Sequence, residues 1–287
     1  MSTSKYSSLG TRLLPALLAY CLPVAFIVAP LGSFLVYSFF RLDHGKIDTT
    51  LTLANYLRFF TDPIFVPVLL QTCALCLAVA LLAVLFGYPV AVLLAGLKGH
   101  IKYTLLMLVL VPLLMSYIIK MYAIRAILGG NGLINTFLLS AGIIHEPLTF
   151  FVFNLNAVLL TLTVLLIPFA ILPIFLSLER IPVNLVEAAA DLGASDWQTF
   201  RKVIWPHSLP GVATAASFVF VLAIGDFLTP QMVGGINGFT FGRIIYSQFG
   251  TAFNWPFGAA LSAILASVVI TAILIGNHFG RAHAEFE

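Results

Sequence analysis

The chain alternates between long apolar runs and short polar interruptions. Six runs can be marked, over about 13–40, 64–97, 103–127, 148–178, 211–233 and 256–277. A helix needs about 20 apolar residues to cross hydrocarbon, and these runs are of that order. They are continuous rather than alternating, and lipid offers the backbone no hydrogen-bond partner, so helices rather than barrel strands are predicted. The third run is apolar only to Ile119; it reaches Ile127 if Lys120 and Arg125 face protein or water. Pro15, Pro23 and Pro30 interrupt the first run, and Pro67 and Pro89 the second, where each should kink a helix or lie near its end. Residues 41–62 are polar, with a short interfacial helix at LANYLRFF, and 128–149 read as a loop containing a short helix. A polar tail follows at 281–287.

One polar segment between apolar runs is long, 179–210. It contains Glu187, Asp191, Asp196, Arg201 and Lys202 in a protein where charged residues are 9% of the total, so it belongs in water. Asn184 followed by Glu187 predicts a capping-box start, and Gly193 sits where a first short helix needs a left-handed C-terminal residue. Ser195 with Gln198 predicts a second start; Arg201 and Lys202 suit its last turn, and Pro206 is expected to stop it. The pattern is helix, turn, helix. Leu185, Ala188, Ala189 and Leu192 make one face of the first helix apolar and mostly small. A helix this short is unstable alone, so that face needs cover, either from the protein's own membrane domain or from a partner.

Composition sharpens this picture. At 61% hydrophobic and a mean hydropathy of +1.06, the chain has more apolar surface than a soluble core of its size could bury. It is an all-α polytopic membrane protein. The net charge of +3 is spread over several loops, which excludes a nucleic-acid surface. Cys73 and Cys76 lie one helical turn apart in an apolar run with no His nearby, so they are read as small packing residues rather than metal ligands. Lys5 and Arg12 precede an apolar run without a clear cleavage site, and a retained first helix is expected. Six crossings put residues 1–12, the Lys98–Lys102 loop, the 179–210 segment and the tail on one side. The short loop with Lys98 and Lys102 places that side in the cytoplasm.

Glu187-Ala188-Ala189, then Gly193, then Val203-Ile204-Trp205-Pro206 resembles the EAA loop of ABC importer permeases in residue type and spacing, with Trp205 where that family usually has Leu. Asn131-Gly132-Leu133-Ile134-Asn135, Ile167-Pro168-Phe169, Gly225-Asp226-Phe227-Leu228-Thr229-Pro230 and Asn254-Trp255-Pro256-Phe257-Gly258 are similar to the spermidine/putrescine permease family. Near Lys120-Met121-Tyr122 that family more usually shows an Arg and a Trp. The resemblance implies a type I ABC importer permease fold, 13–287 forming one transmembrane domain. It further implies that Glu187, Ala188, Ala189, Asp191, Gly193 and Pro206 couple the chain to ATPase subunits. The implied partners are two cytoplasmic ATPases, a second homologous permease and a periplasmic or lipoprotein solute-binding protein, in a bacterial inner membrane with both termini cytoplasmic. ATP and Mg would sit on the ATPases and no cofactor on this chain, which lacks a G-x-x-x-x-G-K-[ST] loop. The implied cargo is a polyamine; relatives carry opines, phosphonates, amino-acid-like cations or iron.

Asp226 is an acid in or near the outer end of the fifth run. A carboxylate there costs about 2.5–3.5 kcal/mol unless it is paired or wetted, which makes it a functional candidate. It either meets a passing ammonium, pairs with Lys120 or Arg125, or is a helix-end acid. Tyr117, Tyr122, Tyr246 and Trp255 either line a cation path through their ring faces or form the interfacial aromatic belt. A secondary carrier should show internal repeats or a relay of buried acids, and an intramembrane enzyme a Ser/His pair or H-E-x-x-H; the sequence offers neither pattern.

Overall fold

A computed structural model of the chain describes residues 24–148 and 153–284, with 19, 21, 22 and 150 besides. Expectations for 1–12 and for most of the start of the first run lie outside these residues. The chain divides into two compact units, Met1–Asp62 with Ile245–Ala266, and Pro63–Ile244 with Ser267–Glu287.

In the first unit a π turn, Val24–Val28, leads into α1, Ala29–Tyr37, with Pro30 in its first turn where its missing N–H costs nothing. A two-stranded antiparallel hairpin follows, β1 Arg41–Asp43 and β2 Lys46–Asp48. Its two-residue loop puts His44 at φ 45° and Gly45 at φ 77°, the left-handed pair that a tight hairpin requires. The sequence predicts only a polar segment here, since three-residue strands are too short to show an alternating pattern. Beyond β2, the Thr50 backbone N–H donates to the Asp48 carboxylate at 3.0 Å and holds its pKa below the usual carboxylate range. The short helix expected at LANYLRFF is α2, Ala54–Thr61. Buried Asn55 donates to the carbonyls of Ser38 (2.9 Å) and Phe40 (2.7 Å) and fastens α2 to the end of α1. Arg58 lies 4.4 Å from the centre of the Phe257 ring.

The second unit is built on three long helices, α3 Phe65–Gly96, α7 Leu155–Glu179 and α10 Trp205–Gly225, packed on one another. Between α3 and α7 lie α4 His100–Leu114, α5 Tyr117–Leu128 and α6 Leu133–Ser140. After α7 come α8 Val183–Asp191 and α9 Asp196–Thr199, then, beyond α10, α11 Leu228–Val233, α12 Phe241–Gly250 and α13 Trp255–Ala284. Among the described residues four helices are long and apolar enough to cross a membrane, five if the bent segment His100–Ser140 is one span, and Val24–Tyr37 is a shorter apolar helix. This is a helical membrane protein.

Lipid tails are as apolar as leucine, so helices gain little by hiding apolar surface from one another and must gain by close approach. Small residues do this work. Cys76, Ala80, Ala83, Gly87 and Ala91 recur at three- and four-residue spacing along α3, and all are buried. A β-carbon added at Gly87 would sit 3.3 Å from Ile171 Cγ1 of α7. One added at Gly211 of α10 would sit 2.4 Å from Ser177 Cβ and 2.9 Å from the Pro173 carbonyl. The free thiol of Cys76 is part of the packed face of α3, while Cys73 is half-buried.

Two expected crossings are broken. The third does not run unbroken from 103 to 127: the chain turns by 94° between His100–Leu114 and Tyr117–Ser140. Pro112 is near the end of α4, Met115 closes the last turn by donating to its carbonyl, and Ser116 is extended. The fifth does not run from 211 to 233. It starts at Trp205, ends at Gly225, and a two-residue break at Asp226 and Phe227 separates it from α11. The fourth begins at Leu155 rather than 148 and ends at Glu179, where Pro182 has no N–H to continue it.

Because the α7–α10 contact has no room for a side chain, Gly211→Ala should cost about 1–3 kcal/mol as overpacking. Thermal unfolding in detergent should show a lowered midpoint, partly restored by adding Ser177→Gly. An unchanged midpoint in Gly211→Ala would contradict the close approach.

Candidate functional site

Two constellations in the second unit bear on function. The first is the polar segment 179–210. Its α8 begins at Val183, directly after Pro182, and Pro182 rather than Asn184 is its N-cap, with no side-chain cap bond; the Asn184–Glu187 capping box does not form. The proline ends the preceding helix and its extended backbone launches the next one two residues earlier than expected. The far end is as the sequence required: Gly193 has φ 77°, its N–H donates to the Ala190 carbonyl (2.9 Å) and that of Ala194 to Ala189 (3.0 Å), a Schellman closure. The Ser195/Gln198 capping box is present and starts α9.

Pro206 does not stop the second helix. It lies in the first turn of α10, and the segment Asp196–Gly225 is one 30-residue helix interrupted only by a π turn at Phe200–Ile204. The helix runs through Pro206, which has no N–H to donate back into it, and the π turn just before takes up that mismatch. Glu187, Ala188, Asp191 and Gly193 are exposed; Ala189 and Pro206 are half-buried. Leu192 is 88% exposed and Val183 70%, so in this chain α8 keeps apolar surface open while packing on α9 and the π turn. Both stems of the segment are tied down. Lys102 Nζ lies 2.5 Å from Glu179 Oε1 at its start, and the Ser177 hydroxyl donates to the His207 carbonyl (3.2 Å) at its end.

The second constellation surrounds Asp226 at the α10–α11 break. Its Oδ1 accepts the backbone N–H groups of Leu228 (2.8 Å) and Thr229 (3.1 Å), the donors that a helix start leaves open. Its Oδ2 is met by the hydroxyls of Tyr117 and Thr229, which lie 2.7 Å from each other. Tyr117 is the first residue of α5, so the acid of one break holds the tyrosine of the other. Lys120 and Arg125 do not pair with it. Lys120 Nζ lies 5.6 Å from the centre of the Tyr117 ring, and the Arg125 guanidinium 5.5 Å from that of Phe153. Thus Lys120, Tyr117 and Asp226 form a row of cation, ring and carboxylate. Tyr122 shares α5 and is 58% exposed. Tyr246 and Trp255 belong to the first unit, where Trp255 packs edge-on against Phe249 at 5.8 Å.

The comparisons with known proteins converge. Residues 16–279 match the family described as "Binding-protein-dependent transport system inner membrane component". The chain belongs to this family. Among its relatives, the spermidine/putrescine transport system permease protein PotB of Salmonella typhimurium (strain SL1344) is 36% identical over 235 residues, covering 82% of this chain and 81% of PotB. PotB of Escherichia coli (strain K12) is 35% identical over the same length, covering 82% and 85%. The fold is also that of a chain in the crystal structure of a bacterial alginate ABC transporter in complex with alginate pentasaccharide-bound periplasmic protein, at 17% identity, TM-score 0.74 and coverage of 96% and 94%.

In this inner-membrane component, sequence reasoning found Asp226 but missed the residues that hold it. The signal was present: an acid three residues before Thr229 and just ahead of an apolar turn is an N-cap pattern. It was hidden because the apolar run continues across the break. Tyr88 and Ser208, buried and bonded to each other at 2.9 Å, were missed as well. A hydroxyl in an apolar run gives no hint of its partner.

As the cap of α11, Asp226 should control local opening. In Asp226→Ala the amides of Leu228 and Thr229 should exchange hydrogen about tenfold faster, the loss of one cap. Asp226→Asn keeps an accepting oxygen and should stay near the parent rate. Equal protection in all three proteins would remove the capping role.

Proposed function

We propose that this chain is a permease subunit of a bacterial ABC importer for polyamines, spermidine or putrescine. The observation that carries this reading is the identity to PotB over four-fifths of both chains. Another small organic cation or an opine is the alternative cargo within the same importer class.

In this reading six helices cross the membrane: one including Val24–Tyr37, then α3, the bent α4–α6 segment, α7, α10 and α13. The domain limits are those expected from the sequence, 13–287 with the 179–210 segment and both termini in the cytoplasm. Two ATPases that bind ATP and Mg dock on the segment, a second permease completes the path, and a periplasmic or lipoprotein binding protein delivers cargo. This chain itself catalyses nothing and holds no cofactor. The open apolar surface of α8, with Glu187 and Asp191 at its edge, supports the docking of an ATPase: small alanines let a partner backbone approach, and the acids offer charge beside it. For cargo, the half-exposed carboxylate of Asp226 and the rings of Tyr117 and Tyr122 in the second unit would offer a passing ammonium an anion and ring faces, and Tyr246 and Trp255 are the candidate ring faces of the first unit. The position of Lys120 Nζ, 5.6 Å from the centre of the Tyr117 ring, supports this reading of the ring face.

Alternating access follows from two rigid halves that meet at a common path. Closure of the ATPases would move the docked segments, and each permease would rock against the other to expose cargo first outward and then inward.

Two measurements test this. Glu187→Arg should abolish co-purification of the ATPase while leaving the permease folded; normal association would contradict docking at 179–210. In the reconstituted importer, labelled spermidine or putrescine should be taken up at the expense of ATP, and Asp226→Asn, which keeps the cap, should slow uptake about tenfold through loss of the charge. Failure of both polyamines to enter would overturn the cargo and leave the importer class standing.

A further inference from the structure

Tyr88 stands on α3 one residue before Pro89, and its side chain reaches across to α10. The Ser208 hydroxyl spends its hydrogen on the Trp205 carbonyl at 2.9 Å, so the 2.9 Å contact between Tyr88 and Ser208 has the tyrosine as donor. Ser208 is fully buried, where a lost partner is expensive. Around this bond the rings interlock. Tyr88 meets Trp205 edge-on at 5.2 Å and Phe200 edge-on at 6.2 Å, and Phe200 stacks on Trp197 at 5.5 Å.

The π turn makes this cluster possible. In a regular α-helix, residues five apart point about 140° away from each other. Here the Trp205 N–H donates to the Phe200 carbonyl, which sets the two rings on one side with centres 6.4 Å apart. A plain helix with the same sequence would turn one of them away from Tyr88. The aromatic row therefore runs from the exposed Trp197, in the 179–210 segment, to a buried tyrosine in a membrane helix.

Its end point is mechanically special. Pro89 has no N–H for the Leu85 carbonyl, so α3 lacks a backbone bond there and bends more readily than elsewhere. On one side of that weak point Gly87 is pressed against Ile171 of α7, which fixes the helix. Load brought to Tyr88 is thus applied between a fixed point and a soft one.

We propose that Phe200, Trp205, Ser208 and Tyr88 form a brace that carries movement of the 179–210 segment into α3 at Pro89, with Tyr88 as a positioning residue for transport. This rests on the docking of an ATPase on that segment. It adds a second route to the direct continuation of α9 into α10, because a neighbouring helix is driven as well.

The test uses the full reconstituted importer. Tyr88→Phe keeps the ring and removes the donor; Ser208→Ala removes its acceptor. Each should leave ATPase association unchanged and lower uptake per ATP hydrolysed about fivefold, the worth of one buried hydrogen bond. The double variant should be no worse than either single one, since both delete the same bond. Tyr88→Leu, which also removes the ring contacts, should lower the ratio further. Unchanged uptake per ATP in Tyr88→Phe and Ser208→Ala, with the complex assembled, would overturn the brace, as would effects that simply add. Should Glu187→Arg retain the ATPase, the docking reading fails instead, whatever Tyr88 does.

Discussion

A membrane helix that stops in hydrocarbon leaves N–H and C=O groups that no solvent will satisfy, so each break inside the apolar region must carry its own partners. That constraint shapes the second unit. At the α10–α11 break the side chain of Asp226 receives two of the freed N–H groups, and its other oxygen reaches the tyrosine that opens α5 after the α4–α5 break. Two discontinuities that would each be costly alone are closed together. The carboxylate is therefore structural whether or not a cation ever passes it, and the two roles are separable because an amide can cap but cannot carry charge.

The same economy governs helix contact. With apolar surface equally content in lipid, α3, α7 and α10 are held by proximity and by a few polar bonds. Gly87 and Gly211 supply the proximity, and Tyr88–Ser208 and Ser177–His207 supply the bonds. These polar contacts cluster near the segment 179–210 rather than along the whole interface. The helices are thus joined most firmly where the segment enters and leaves them.

Much of this was legible in the residues. Apolar runs marked α3 with both ends correct to a residue, because Lys98 and the polar 41–62 segment bracket it sharply. Gly193 and the Ser195/Gln198 pair fixed the turn in the polar segment, since each needs a backbone geometry that few residues satisfy. What was not legible depended on partners distant in the chain. Nothing local distinguishes a proline that stops a helix from one that the helix runs through, and Pro206 proved to be the second kind because the π turn before it keeps the helix going. Breaks at Ser116 and Asp226 were masked by apolarity on both sides: hydropathy averages over a window and cannot see a single residue with extended backbone. Of the three roles open to Asp226, the pairing with Lys120 or Arg125 is not formed, and its actual partners were hidden for a related reason: opposite charge is easy to read from sequence whereas two hydroxyls and two amides are not.

The unbroken run from Asp196 to Gly225 makes one rod of a membrane span and its polar extension. Thirty residues at 1.5 Å each give a length of about 45 Å, so a tilt of about 10° moves one end by about 8 Å relative to the other. Tilt is also how a span answers to the thickness of the bilayer around it. The height and angle at which Trp197 is presented are therefore set partly by lipid, and membrane thickness enters the geometry of this protein as a variable alongside its own side chains.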